Sequence, residues 1–309
     1  MSAAQLPHCY RHPDRPTGLS CGECERPICV DCMTSTPVGI RCPDHATMRA
    51  GGGARRRPPV SVPRAPQLRV GATQALVTKI LIGINVVVYL ITVVQGGGGI
   101  NDPGGHLFRE FELLGHLPAG VPPEAWPYGT VASGDWWRLI TSAFLHANLI
   151  HIGFNMLALW WIGGPVEEYL GRMRYLLLYI VSGLAGAAGA LIYTPTTPVV
   201  GASGAIFGIL GAMMVIEWQA TGRFTGYALT LVVINLAIGF IYNQRGGLIS
   251  IGGHIGGLIG GILATLAFAR FGRGHAAYGR LGLAGVAGLV LVGVASVVIA
   301  YWQVRGYTY

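Results

Sequence analysis

The chain has 309 residues, of which 52% are hydrophobic and only 11% charged, with 48 glycines, a mean hydropathy of +0.52 and a formal net charge of +8. Soluble chains average about 25% charged residues, so too few polar groups are present to cover a water-facing surface, and the same apolar excess excludes disorder over most of the length. The glycines follow no three-residue period, which excludes a collagen-like chain and leaves a polytopic membrane protein with something small attached.

The small attachment comes first. All six cysteines lie within the first 42 residues, in pairs of one spacing: Cys9 with His12, Cys21 with Cys24, Cys29 with Cys32, and Cys42 with His45. A two-residue gap lets neighbouring ligands bite one metal from a tight turn, and eight ligands make two tetrahedral sites with the Cys/His chemistry of structural Zn²⁺. Three disulfides would need an oxidising compartment and leave the two histidines unexplained. With all four positions of each site filled, the metal is expected to be structural, and so small a head cannot fold on its apolar core alone. His8 adjoins Cys9 and has the wrong spacing for a ligand. The pattern resembles a B-box type zinc finger. That resemblance implies interleaved ligands, with Cys9, His12, Cys29 and Cys32 on one ion and Cys21, Cys24, Cys42 and His45 on the other. The head is expected to recruit a protein partner or regulate, not to cut.

Residues 49–79 carry six arginines and Lys79 with no acid. Beside a first apolar span, such a run sets orientation and touches anionic lipid in preference to nucleic acid. Residues 1–70 contain no apolar stretch long enough for a secretory signal, so the N-terminus is expected in the cytoplasm. The expected domains are a double zinc finger over 1–48, a basic Pro/Gly-rich linker over 49–72 and a transmembrane domain over 73–309.

Apolar stretches near the length of about 20 residues needed to cross a bilayer fall at 76–95, 143–163, 173–193, 201–219, 226–243, 249–271 and 282–302. With the N-terminus inside, the inner loops collect Arg172, Arg174, Arg223 and Arg270, while the outer ones hold Arg109, Arg138 and Arg245, as the positive-inside rule requires. The long loop 96–142 is rich in aromatics suited to the membrane interface, and the segment 243–249, with paired glycines, is a candidate movable lid.

Reactive polar groups in the spans are few. His151 and Asn155 lie one helical turn apart on one face of span two, with His146 before them; Ser203 opens span four; Asn235 lies in span five; His254 lies about five residues, roughly 8 Å, into span six. Ser203, His151, Asn155 and His254 therefore come to one level near the outer face. The run Gly201-Ala202-Ser203-Gly204 puts a serine at a helix N-terminus, where free N–H groups and the positive dipole end suit an oxyanion. In span six Gly252, Gly256 and Gly260 form one stripe and Gly253, Gly257 and Gly261 another, and small residues so spaced let helix backbones approach closely. Mere helix packing is the bland reading of these glycines; the shared depth of Ser203 and His254 weighs against it. No acid falls in the outer half of a span and the one lysine sits at the far end, so neither an Asp-oriented triad nor a Ser-Lys pair is available, and His254 remains as general base. His146 and His151 do not form a HExxH metal motif.

These residues, with Trp137-Arg138 in the first loop, resemble the rhomboid intramembrane serine proteases over residues 76–271. The resemblance implies an all-α, rhomboid-like six-helix core with 282–302 as a seventh helix, and a multi-pass protein of the cell membrane. It also implies a serine endopeptidase cutting transmembrane protein substrates within the lipid bilayer. Ser203 would be nucleophile and His254 base; the Ser203 N–H, His151 and Asn155, beside Gly201, would bind the oxyanion, with no cofactor in catalysis. The rival is a catalytically inactive rhomboid-like binder of transmembrane clients.

Overall fold

The computed structural model describes residues 6–36, 39–46, 75–223, 226–244, 249–271 and 283–307; the linker expected at 49–72 lies outside them. The chain divides into two units, Met1–Gln67 and Leu68–Tyr309. The first holds a short antiparallel ladder, β1 (Thr34–Thr36) with β2 (Gly39–Arg41), paired Thr34 to Arg41 and Ser35 to Ile40, then the single-turn helix α1 (Pro43–Ala46). Its core is made of the cysteines and Ile28, with Tyr10, Leu19 and Ile40 packed against them. That is little apolar surface for a fold.

The second unit is helical and polytopic, as the sequence indicates. Among the described residues, seven helical segments are long and apolar enough to cross a bilayer. The first, α2 (Leu76–Gly96), has no side-chain cap of its own. Its opening N–H groups are instead met by the buried Glu167 carboxylate, which accepts from the Val77 and Thr78 amides at 2.9 and 2.8 Å and from the Thr78 hydroxyl at 2.8 Å. A buried anion on the positive end of a helix satisfies both partners. The following loop contains α3 (Gly105–Phe111) and α4 (Arg138–Thr141).

Span two differs from its expected limits of 143–163. It runs Leu149–Leu170 as α5 (Leu149–Ala158), a π turn over Leu159–Gly163, and α6 (Gly164–Leu170). Asn148 fixes the start, its side chain accepting the His151 amide at 2.9 Å, so the apolar residues before it form a short 3₁₀ turn, Ser142–Phe144, outside the span. The remaining spans are α7 (Arg172–Tyr193), α8 (Ser203–Thr221), α9 (Tyr227–Gln244), α10 (Ile251–Phe271) and α11 (Leu283–Val304). Burial sorts them: 61% of the α7 window is buried against 17% for α9 and 22% for α11, so α7 is the central post and the last two face mainly lipid.

The two glycine stripes of α10 face different neighbours. A Cβ at Gly257 or Gly261 would overlap the carbonyl oxygens of Gly204 and Gly208 on α8, whereas one at Gly252 or Gly256 would overlap those of Gly189 and Ala185 on α7. Helix α10 is thus wedged between α7 and α8 at backbone contact, a distance that side chains would forbid.

Candidate active site

Ser203 is the first residue of α8 and His254 the fourth of α10. Because α10 begins at Ile251 and not at 249, His254 lies roughly 4.5 Å along its helix at 1.5 Å per residue, shallower than expected. The Gly204–Gly257 contact sets the two helices so close that Ser203 Oγ lies 2.9 Å from His254 Nε2. In the tautomer with Nε2 unprotonated, serine donates to it and the proton of the neutral ring lies on Nδ1. That Nδ1 is buried and has no hydrogen-bond partner among the described residues. Orientation comes from a ring instead. Phe207, one turn after Ser203 on α8, stacks on His254 with centroids 4.2 Å apart and planes 13° from parallel. Sequence reasoning missed Phe207, although its position four residues after a helix-opening serine puts both on one face.

Gly201 approaches the same place from the other side. Its φ of +126° lies in the region that favours glycine, and a Cβ there would meet Cε1 and Nε2 of His151 at 2.7 Å and Asn155 Nδ2 at 3.6 Å. His151 Nδ1 faces the Ala147 amide at 3.4 Å and accepts from it, so a neutral His151 carries its proton on Nε2, the atom turned toward Gly201. Asn155 Nδ2 is buried and has no hydrogen-bond partner among the described residues. Two N–H donors thus stand beside Gly201, two residues before the serine that opens α8 with no side-chain cap. Ser142 anchors the approach, its carbonyl accepting the Gly201 amide at 2.9 Å.

His146 sits ahead of span two, edge-on to His151 at 5.2 Å. Its ring is wholly buried. Asn235 is not part of this group: it is exposed on α9 and donates to its own helix at Leu231. The lid candidate 243–249 falls largely on residues outside those described. Arg138 proves to be wholly buried, its guanidinium donating to the carbonyls of Arg109, Glu112 and Tyr128 and, through Nε at 3.1 Å, to Asp135. The motif arginine therefore pins the long loop by its backbone. Burial pushes the Glu112 carboxyl above its ordinary range, against the pull of the Arg109 and Arg138 charges.

In the head the eight candidate ligands form two clusters, Cys9, His12, Cys29, Cys32 and Cys21, Cys24, Cys42, His45, with donor atoms within 4.8 Å of one another in each. His12 Nδ1 lies 3.4 and 3.3 Å from the Cys29 and Cys32 sulfurs, and the Cys24 and Cys42 sulfurs are 3.9 Å apart. Sulfurs about 2.3 Å from one tetrahedral ion stand roughly 3.8 Å apart, so each set fits a four-coordinate thiophilic metal. Burial opposes ionisation of the Cys9 thiol, yet N–H groups of Cys29 and Arg11 and the His12 ring outweigh it and lower the thiol to about 6. The Cys42 amide likewise donates to Cys21 Sγ at 3.2 Å. The Cys32 thiol goes the other way, pushed up to about 11 by burial and by the neighbouring Cys9 and Cys29; thiols crowded so that they cannot all ionise together are suited to a cation.

The Rhomboid domain family matches residues 133–271, a stretch that includes Ser203, His254, His151 and Asn155 and leaves out the head, α2 and α11. Rhomboid protease GluP of Bacillus subtilis is 40% identical over 141 residues, which is 44% of this chain and 27% of that protein. YdcA of the same organism is 37% identical over 140 residues, 44% of this chain and 68% of its own. Rhomboid protease GlpG of Yersinia pseudotuberculosis is 32% identical over 147 residues, 45% and 50% of the two chains. The chain thus spans about a quarter of GluP and two thirds of YdcA.

Proposed function

The chain belongs to the rhomboid family, and on that premise we propose that it is an intramembrane serine endopeptidase that cuts transmembrane segments of membrane proteins. The observation that carries this reading is the 2.9 Å approach of Ser203 Oγ to His254 Nε2, two groups 51 residues apart in sequence on separate helices. As Oγ attacks the scissile carbonyl carbon, its proton passes to His254 Nε2; the C–N bond then breaks as that proton moves to the leaving amine. A water molecule, deprotonated by the same nitrogen, frees the acyl group from Ser203. The Ser203 amide, His151 Nε2–H and Asn155 Nδ2–H would meet the tetrahedral oxygen, each contributing on the order of 3 kcal/mol.

A peptide bond in hydrocarbon is shielded and hydrogen-bonded within its helix. Substrate must unwind and water must arrive, and both are easiest where this site lies, at the ends of α8 and α10. With the N-terminus in the cytoplasm that end is the outer face of the cell membrane. The head, over residues 1–48, would hold two structural Zn²⁺ ions through its Cys₃His sets and recruit a protein partner; 49–72 links it to the catalytic domain at 73–309. Zinc there supplies folding energy and takes no part in the cleavage.

The test is reconstitution in liposomes with a single-span reporter. Wild type is expected to cleave it and Ser203→Ala to leave it intact. Equal cleavage by both would remove the nucleophile from this account, and failure of wild type on several reporters would favour a binder of transmembrane clients.

A further inference from the structure

The seventh span, α11, lies outside the stretch matched by the family, yet its end packs against the long loop at Leu113 and Gly115. Its buried residues Gly285, Leu289, Ser296, Ala300 and Val304 repeat at helical spacing, and the last two join a cluster with Leu113 of the long loop and Leu191 of α7. Beyond Val304 the chain turns. Gly306 takes a φ of +88°, and the Tyr307 ring folds back to stack on the buried ring of His116 at 3.6 Å, 5° from parallel. One residue earlier, Gly115 is enclosed by the Pro195 carbonyl, Leu191 and Val304: a Cβ would meet them at 2.6, 2.9 and 3.1 Å.

What this end of α11 presses on is the backbone that leads into the active site. Leu113 and Val199 exchange N–H···O bonds of 3.0 and 2.9 Å, and the amides of Gly115 and His116 both donate to Pro195 at 2.9 and 3.2 Å. Segments 113–116 and 195–199 are thus tied together through an isolated antiparallel bridge at Leu113 and Val199, and two residues after Val199 comes Gly201, then Ser203. Neither segment carries a helix of its own at this point. Their geometry rests on the four bonds and on whatever holds 113–116 in place. Val131 and Ala132 tie it from the loop side, donating to Leu114 and Gly115; Val304 and Tyr307 close the other side.

We propose that the end of α11 is a brace for the catalytic serine, with Tyr307 and Val304 as positioning residues that hold 113–116 and, through its pairing with 195–199, fix Gly201 and Ser203. This rests on the protease reading for its effect on turnover, although the brace itself is a statement about backbone order. Neither residue touches reacting atoms. A misplaced nucleophile slows chemistry while leaving substrate binding largely intact.

The experiment compares Tyr307→Ala, Val304→Ala and Tyr307→Phe with wild type in the full chain, measuring reporter cleavage, thermal unfolding, and hydrogen exchange of the Val199 and Gly201 amides. Tyr307→Ala and Val304→Ala are expected to lower kcat by roughly 3- to 10-fold with KM within about twofold and to speed exchange at both amides; the unfolding temperature should stay unchanged in Tyr307→Ala, whose side chain is half exposed, and fall modestly in Val304→Ala, which loses buried contacts. Tyr307→Phe keeps the flat ring and is expected to match wild type in all three. Exchange and kcat unaltered in both alanine variants would overturn the proposal, as would a kcat loss that merely tracks a fall in unfolding temperature or that Tyr307→Phe shares. If wild type cleaves no reporter, the protease reading fails, and amide exchange alone still decides the brace.

Discussion

In the head, residues far apart in sequence are gathered by ligand chemistry: Cys9 and His12 meet Cys29 and Cys32 across a core with little beyond Ile28 to bury. In the membrane unit Ser203 and His254, also distant, are gathered by the lack of side chains, because Gly204 and Gly257 bring two helix backbones into contact beneath them. On the metal-binding proposal, one region would be held by strong bonds to something outside the polypeptide, the other by many weak dispersion contacts between close backbones. The difference teaches where each is fragile. The head should fail by losing an ion, the bundle by gaining a methyl group.

The largest effect should come from chelation. Apparent zinc affinities of small fingers are on the order of 10 kcal/mol, more than the head's core can replace. Strong chelator is expected to abolish its chemical-shift dispersion while leaving cleavage of a generic single-span reporter within about twofold. A head that stays folded without metal would mean the apolar core suffices. A parallel loss of turnover would show the two units to be coupled.

Next in size is Gly257→Leu. The new side chain must displace the Gly204 carbonyl, forcing α8 and α10 apart and breaking the Ser203–His254 bond, with a stability loss expected near or above 4 kcal/mol and turnover at the level of Ser203→Ala. Gly153 on α5 has open space around its Cβ position, so Gly153→Ala should lie within about 1 kcal/mol of wild type. If the two variants unfold alike, close backbone contact is not what organises the bundle.

These contrasts bear on how much the sequence disclosed. The Cys/His clusters were legible because ligand spacing is a local code, and the two glycine stripes because a four-residue period maps onto helix faces. Which stripe met which helix was not, since Gly252 and Gly253 differ only by rotation about one axis and the choice depends on neighbours. The start of span two was placed six residues early, because hydropathy does not see that the Asn148 side chain caps the His151 amide. Glu167 escaped notice for a related reason: its partners Val77 and Thr78 lie about 90 residues away and offer main-chain groups that every residue shares.

Within the site, Asn155→Ala removes one free donor and leaves His151 and the α8 terminus. Turnover should fall by roughly 10²-fold, in line with about 3 kcal/mol for one oxyanion donor, with little change in KM. A loss as complete as that of Ser203→Ala would assign the amide a part in holding the site together.

The smallest and most discriminating effect concerns Phe207. His254 has no acid at Nδ1, so its ring must be held in plane by contacts on its faces, and the parallel ring of Phe207 at 4.2 Å supplies one. A stacked aromatic pair is worth about 1 kcal/mol beyond its buried area. Phe207→Leu keeps an apolar side chain of similar bulk while removing the flat face, and should lower kcat about fivefold with KM unchanged; Phe207→Tyr keeps the ring and should recover most of it. Full activity in the leucine variant would place the orientation of His254 in the Gly204–Gly257 contact alone. The bundle's catalytic geometry would then come wholly from where backbones touch.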